Sequence, residues 1–249
     1  MQKVFLVIAN YQNEKQEIFD KFISPSNRRY CNKHGFKYMP ILTPPPLFRG
    51  NPTWWKFTIV ADMLKNGQLQ DGDVLTNFDA DMVIMKDDLP YQTTKSFSYA
   101  IDNGNTHCMG NYTLNVNPWS RQLIANILDE ELWNRNKYKP HWLDFREQAA
   151  WYSLCGIIPH SWNPFLSMPD NGFHSSYDQS EIKYSIEELE QHVEVRGPQW
   201  NTTLLEEEFD ITPAHLQIYN ITRSKKADTI VRHFAGGQPW QASYYQYAV

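Results

Sequence analysis

Three short apolar runs, separated by stretches with apolar residues at helical spacing, constrain this chain most. Val4 to Ala9 is continuously apolar, the pattern of a strand covered on both faces. Ile18, Phe19, Phe22 and Ile23 then recur at helical spacing, and a turn at His34-Gly35 leads into a second run, Phe36 to Ile41. Pro44-Pro45-Pro46 breaks any ladder, after which Trp54 to Leu64 is again helical and Asn66-Gly67 supplies a stop. Val74, Leu75 and Phe78 form the third run, which ends in Asp79-Ala80-Asp81. Strand, helix, strand, helix, strand predicts a mostly parallel sheet with crossover helices, an α/β fold whose ligands bind beyond the carboxyl ends of the strands.

The remainder is less regular. Phe97 to Ile101 and Tyr112 to Val116 read as further strands, and Pro118 opens a helix predicted to run through Leu132. Asp144 with Glu147 three positions on is a capping-box spelling before Ala149, Ala150, Trp151 and Leu154, and Gly156 suits the helix end. From about Asn171 to Asp228 the chain is polar and poorly periodic, and reads as an elaboration over the sheet. Thr229 to Phe234 is a last apolar strand before a Gly-rich loop. At 249 residues one domain is expected.

Charge narrows the partners. The formal net charge is -5 and no extended Lys/Arg cluster occurs, which argues against nucleic acid. No segment approaches the roughly 20 apolar residues of a membrane span, so the sequence predicts no transmembrane segment. Three cysteines, Cys31, Cys108 and Cys155, cannot form a closed disulfide set and read as reduced thiols of a cytoplasmic protein. The triplets beginning at Asn111, Asn201 and Asn220 spell glycosylation acceptors, but a chain rich in Asn, Ser and Thr produces them by chance. Thirty-six aromatic side chains, nine Trp, fourteen Tyr and thirteen Phe, suit a core and also the stacking of sugar rings or bases.

Two carboxylates one residue apart at a strand end carry the chemistry. Oxygen ligands so placed suit Mg²⁺ or Mn²⁺ bound to a substrate phosphate. Asp71-Gly72-Asp73 has the same spelling, but brackets a Gly between polar residues and reads as a turn.

Several separated pieces together resemble glycosyltransferase family 34: Tyr30-Cys31-Asn32-Lys33-His34-Gly35-Phe36, Trp55-Lys56-Phe57, Phe78-Asp79-Ala80-Asp81, Asn117-Pro118-Trp119-Ser120, Glu147-Gln148-Ala149, and His233-Phe234-Ala235-Gly236 with Pro239. The resemblance implies a single GT-A domain over 1–249, Rossmann-like and nucleotide-sugar-binding, with a nucleotide-binding half over about 1–85, an acceptor half with the C-terminal metal-ligand motif over about 86–249, and Mn²⁺ (or Mg²⁺) as cofactor. It implies a nucleotide-sugar donor, UDP-sugar ahead of GDP-sugar, and transfer of a hexose or pentose to a glycan or glycoconjugate acceptor with retention at the anomeric carbon. Asp79, Asp81 and His233 fall on the family's metal ligands. Asn10 and Tyr11 follow the first strand, where the base is placed, while Lys56, Asp79, Gly236 and Gln238 fall on the donor side.

Gln148 falls beneath the anomeric carbon, with Glu147 beside it. An amide is a poor nucleophile, so a front-face mechanism is expected, in which Gln148 stabilises the cationic carbon and Glu147 holds sugar hydroxyls or takes part in covalent chemistry. The chain departs from the family at Gln238, where a Lys is usual, so the phosphate clamp is expected to borrow Lys56, Lys226 or Arg232. It departs again at Glu147, where the family has Asp. Asp102 and Asn103 are candidates for sugar hydroxyls or a turn, and Trp162, Asn163 and His174 for acceptor contact. Family members carry an N-terminal membrane anchor, so a trimmed lumenal catalytic domain is the other expected origin. A non-catalytic carbohydrate binder on the same fold is the competing reading. A sugar nucleotidyltransferase is another, opposed by Ala9-Asn10-Tyr11-Gln12-Asn13, which lacks a Gly-rich basic phosphate loop.

Overall fold

A computed structural model describes residues 1–9, 14–43, 46, 51–104, 107–129, 131–132, 147–155, 183–211 and 223–234. The first strand, β1 (Lys3–Ile8), has its faces divided between two cores. Val4 and Leu6 join one apolar cluster, and Phe5, Val7 and Ala9 join the other. That division is why the run is continuously apolar rather than alternating.

Helix α1 (Glu14–Ile18) passes through a π-helical turn, Phe19–Ile23, into α2 (Ser24–His34). Pro25 in the first turn of α2 has no N–H to donate, which favours the widened turn just before it. Gly35, left-handed at φ 70°, ends α2 and turns the chain into β2 (Lys37–Ile41). Helix α3 (Trp55–Lys65) leads to β3 (Val74–Asp79), and β4 (Met82–Ile84) follows after two residues.

Strands β5 (Phe97–Ile101) and β6 (His107–Asn115) form an antiparallel pair, and α4 (Pro118–Leu128) follows. Asn117 and Ser120 cap α4 reciprocally, and the helix stops at Leu128, short of the predicted Leu132. Helix α5 (Glu147–Cys155) occupies the predicted place, whereas Asp144 and Gly156 lie outside the described residues. Helix α6 (Ile186–His192), β7 (Val193–Arg196) and β8 (Val231–His233) complete the description.

The central sheet has the order β2-β1-β3-β6-β5-β7, with β6 running against the other five strands. One face is covered by α3, α4 and α5, through Phe57, Val60, Leu123, Ile127 and Trp151. The other is covered by the α1–α2 helical run together with a small antiparallel sheet of β4 and β8, through Phe19, Ile23, Val83 and Val231. The sequence reading of 171–228 as an elaboration over the sheet needs correction, because β7 lies within the sheet, paired in parallel with β5. Its four residues, two of them charged, leave too short an apolar pattern for a strand to be read from sequence.

Among the described residues no helix is long and apolar enough to cross a membrane. Cys31, Cys108 and Cys155 are all free thiols. Asn111 and Asn201 are fully buried, so neither can accept a glycan in the folded chain.

Candidate metal and donor site

The site forms where β1 and β3 stop at one level: Ile8 pairs with Asp79, the last residue of β3. The chain turns through Ala80 and Asp81 into β4, and β4 pairs antiparallel with β8 so that Met82 lies opposite His233. The Phe234 amide donates to the Asp81 carbonyl at 3.0 Å. Two ladders thus bring a residue from position 233 to the side of the paired aspartates.

One ligand atom from each of Asp79, Asp81 and His233 lies within 4.8 Å of the others. His233 Nε2 is 3.4 Å from Asp81 Oδ1, a buried oxygen with no hydrogen-bond donor among the described residues. Two carboxylates and an imidazole form a donor set suited to Mn²⁺ or Mg²⁺. Room for the set depends on Gly110 in β6, where a Cβ would sit 2.8 Å from Asp79 Oδ2 and 2.7 Å from Met82 Cε. The residues present therefore fit a divalent cation.

Lys56, on the first turn of α3, is 5% exposed and gives each of its three ammonium protons an acceptor. Its Nζ lies 2.7 Å from Asp79 Oδ1, 3.1 Å from Glu147 Oε1 and 3.2 Å from the Met109 carbonyl. Burial works against that charge, but the carboxylates of Asp79 and Glu147 outweigh it and hold the Lys56 pKa above its ordinary value. The magnitudes agree. An ion pair at 4 Å gains about 4 kcal/mol at an effective dielectric of 20, burying an ammonium costs several kcal/mol, and two partners offset what one would not.

Asp79 feels opposite pulls. Burial in the cleft raises its pKa, Lys56 lowers it and the charge of Asp81 raises it again, leaving it at about 6. For His233, burial disfavours the imidazolium but Asp81 outweighs it, and the pKa stands well above the ordinary value. Its Nδ1 meets Asn201 Oδ1 at 2.8 Å.

Glu147 opens α5, is 4% exposed and keeps Oε2 buried without a hydrogen-bond donor among the described residues. This is not the exposed polar turn that a capped helix start would present. Gln148 Nε2 donates to the Tyr152 hydroxyl at 3.0 Å, and that hydroxyl donates its own proton to the His107 carbonyl at 2.8 Å. Since the hydroxyl has one proton, the amide nitrogen of Gln148 must face it and the amide oxygen is the end left over.

A cleft of about 290 Å³ opens beside this cluster, lined by Ile8, Pro52, Thr53, Trp55, Lys56 and Asp79 to Asp81. A larger concavity of about 570 Å³ lies at the opposite end of the strands, beside Lys3, Val74 and the Asp71-Gly72-Asp73 turn. There Asp73 accepts from the amides of Gln2 and Gln70, and Asp71 pairs with Arg121 at 2.7 Å. That turn is structural, as its spelling predicted, and the smaller cleft is the one that borders the Asp79, Asp81 and His233 group.

Of the sequence candidates, the structure brings Asp79, Asp81, His233, Lys56 and Glu147 together. Asn10, Tyr11, Gly236 and Gln238 lie outside the described residues, as do Trp162, Asn163 and His174. Arg232 is corrected as a phosphate-clamp candidate. Adjacent to His233 on β8 it is 1% exposed, donates to Glu208 at 2.7 Å and to the carbonyls of Thr202 and His233, and is committed to holding that loop. Lys226 is exposed on a turn whose amide is held by Glu207. Asp102 makes a turn by accepting from the Gly104 amide, and buried Asn103 accepts from the amides of Thr203 and Leu204.

Sequence reasoning missed Gly110 and Asn201. A Gly within a strand is a signal of close backbone approach, and the ladder between β5 and β6 does break its register at this point.

No family model matches the sequence, and no curated protein matches it. Among solved structures the chain is similar to a glycosyltransferase involved in the glycosylation of the major capsid of PBCV-1, with 11% identity over 100% of this chain and 98% of that one and a TM-score of 0.54. It is also similar to the glycosyltransferase GlyE of Streptococcus pneumoniae, at 10% identity over 100% of this chain and 61% of that one, with a TM-score of 0.48. The galactosyltransferase LgtC aligns at 13% identity over 100% of this chain and 95% of that one, with a TM-score of 0.40. At these identities the likeness shows the fold alone, and of the three the first carries it: the chain has the mixed α/β architecture of GT-A glycosyltransferases.

Proposed function

We propose that the chain is a metal-dependent glycosyltransferase, related to family 34, that moves a hexose or pentose from a nucleotide sugar to a hydroxyl of a glycan or glycoconjugate with retention of configuration. The observation that carries this reading is the convergence of Asp79, Asp81 and His233 at the carboxyl ends of β1 and β3, beside a cleft.

Breaking a sugar–diphosphate bond creates a cationic carbon and an anionic leaving group, so most of the catalytic task is electrostatic. Mn²⁺ or Mg²⁺ held by Asp79, Asp81 and His233 would supply Lewis-acid neutralisation of the diphosphate. Lys56 keeps a fixed positive charge beside Asp79 and aligns that carboxylate. Glu147, anchored through Oε1, offers Oε2 as an acceptor for a donor-sugar hydroxyl. Gln148, with its amide nitrogen held by Tyr152, offers its carbonyl oxygen to the carbon that becomes positive. The acceptor hydroxyl then attacks from the side of the departing phosphate: its oxygen bonds the anomeric carbon as the sugar–phosphate bond breaks, its proton passes to the leaving phosphate oxygen, and configuration is retained.

A thermal-shift screen of nucleotide sugars with Mn²⁺, UDP-sugars first, tests the reading, because a true donor stabilises as its concentration rises above its dissociation constant. Donor hydrolysis is then followed with and without Mn²⁺. Metal-dependent turnover of a shifting donor is the expected result. A shift without turnover would leave a carbohydrate binder, and no shift with any nucleotide sugar would overturn the proposal.

A further inference from the structure

Asn201 lies 32 residues from His233 in sequence, yet its Oδ1 is 2.8 Å from His233 Nδ1 and its side chain is fully buried. We propose that Asn201 is the positioning residue that fixes His233 in the tautomer with Nδ1 protonated, so that Nε2 faces Asp81 as a ready metal ligand. The inference rests on the metal reading above and adds a residue to it.

The ring's surroundings decide which way the amide points. Nε2 faces a carboxylate at 3.4 Å and Nδ1 faces Asn201. An amide oxygen can only accept, so the nitrogen it meets at 2.8 Å is the one that carries the proton. That leaves Nε2 as the lone-pair nitrogen on the side of Asp81, where it would hold a cation without the ring having to turn. Among the described residues the Asn201 Nδ2 is buried without an acceptor, an expense that an apolar residue would avoid. What the amide offers in return is its oxygen.

The backbone around Asn201 is held accordingly. Asn201 ends a short 3-10 turn (Pro198–Trp200), with its amide donating to the Pro198 carbonyl at 3.0 Å. The next residue, Thr202, bridges in parallel to Arg232: its amide donates to Val231 at 2.9 Å, and its carbonyl accepts from the His233 amide at 2.8 Å. Donor and acceptor are thus carried on directly hydrogen-bonded segments. The glycosylation spelling Asn201-Thr202-Thr203 is incidental to this role.

The test uses the full chain with ¹⁵N-labelled histidine. In Mg²⁺-saturated protein, long-range ¹H–¹⁵N correlation spectra are expected to show His233 with the proton on Nδ1. Asn201→Leu, which keeps the volume and removes the acceptor, is expected to lose that single tautomer and to weaken Mn²⁺ binding about tenfold or more, counted as free Mn²⁺ by electron paramagnetic resonance. Asn201→Asp, which keeps the acceptor, is expected to restore both. If Asn201→Leu does not fold, Asn201→Ala, which also lacks an acceptor, carries the same expectation. Wild-type tautomer and wild-type Mn²⁺ affinity in Asn201→Leu or Asn201→Ala overturn the role of Asn201 alone, whereas a wild-type chain that binds no Mn²⁺ overturns the metal reading and this inference with it.

Discussion

The ammonium of Lys56 sits 2.7 Å from the carboxylate of Asp79, so the chain places its own cation against an aspartate that also belongs to the candidate metal cluster. Because Lys56 also bonds Glu147, one side chain joins the end of β3 to the start of α5.

Removing that side chain leaves two carboxylates facing each other. Lys56 and Glu147 each have side chains 6% exposed, and breaking a buried pair by deleting one partner costs about 3 kcal/mol or more. Lys56→Met is therefore expected to lower the unfolding free energy by about that amount in urea titrations without metal. Mn²⁺ is expected to recover part of the loss, since a divalent cation offsets the same negative charge. Equal stability of the variant and the wild type would contradict the pairing.

The titration of Asp79 gives a direction for metal binding. Its pKa is raised to about 6, so below that pH a proton occupies the carboxylate that a cation needs, and His233, also raised, adds a second competing proton. Mn²⁺ affinity is expected to fall steeply as pH drops through 6, with protons released on binding above it. The metal-free protein should show the opposite sign. A raised carboxyl contributes stability below its ordinary pKa near 3.8 and loses that contribution as pH rises through about 6. Titrations of Mn²⁺ at pH 5, 6, 7 and 8 check the first trend, and metal-free denaturation over pH 4 to 7 checks the second.

Deleting ligands separates the metal reading from the fold. Among the described residues the Asp81 side chain pairs with His233, so Asp81→Ala removes a ligand and leaves that one partner behind. Asp81→Ala and His233→Ala are expected to abolish both the Mn²⁺-dependent thermal shift and donor turnover, while retaining the wild-type circular dichroism spectrum. Normal donor turnover in both variants would remove these residues from the site.

Much of this arrangement was legible in the sequence, for physical reasons. The run from Val4 to Ala9 is visible because both faces of β1 are covered, and Asp79-Ala80-Asp81 is visible because the apolar pattern stops there. β7 was not, since Val193 to Arg196 is only four residues at a sheet edge, too short for its alternation to stand out. The sequence offers Arg232 to the phosphate clamp and His233 to the metal, but alternation along β8 sends one to Glu208 and the other to Asp81. Asn201 left no trace because its partner is distant in sequence, and no local pattern encodes a contact between loop and strand.

Gly110 offers the most selective test of the site's shape. A methyl group there would lie 2.7 Å from Met82 Cε and 2.8 Å from Asp79 Oδ2, and the two neighbours differ in what they can yield. The end of a methionine can swing aside, whereas Asp79 cannot shift without disturbing its 2.7 Å contact with Lys56 and its place beside Asp81 and His233. Overpacking of this kind costs about 1–3 kcal/mol. Gly110→Ala is thus expected to destabilise by that amount and to weaken Mn²⁺ binding beyond what its stability loss explains, because the displaced group is a ligand. Calorimetric Mn²⁺ titration on folded Gly110→Ala protein reads this directly: unchanged affinity would mean that Met82 alone makes room and that β6 does not shape the cluster.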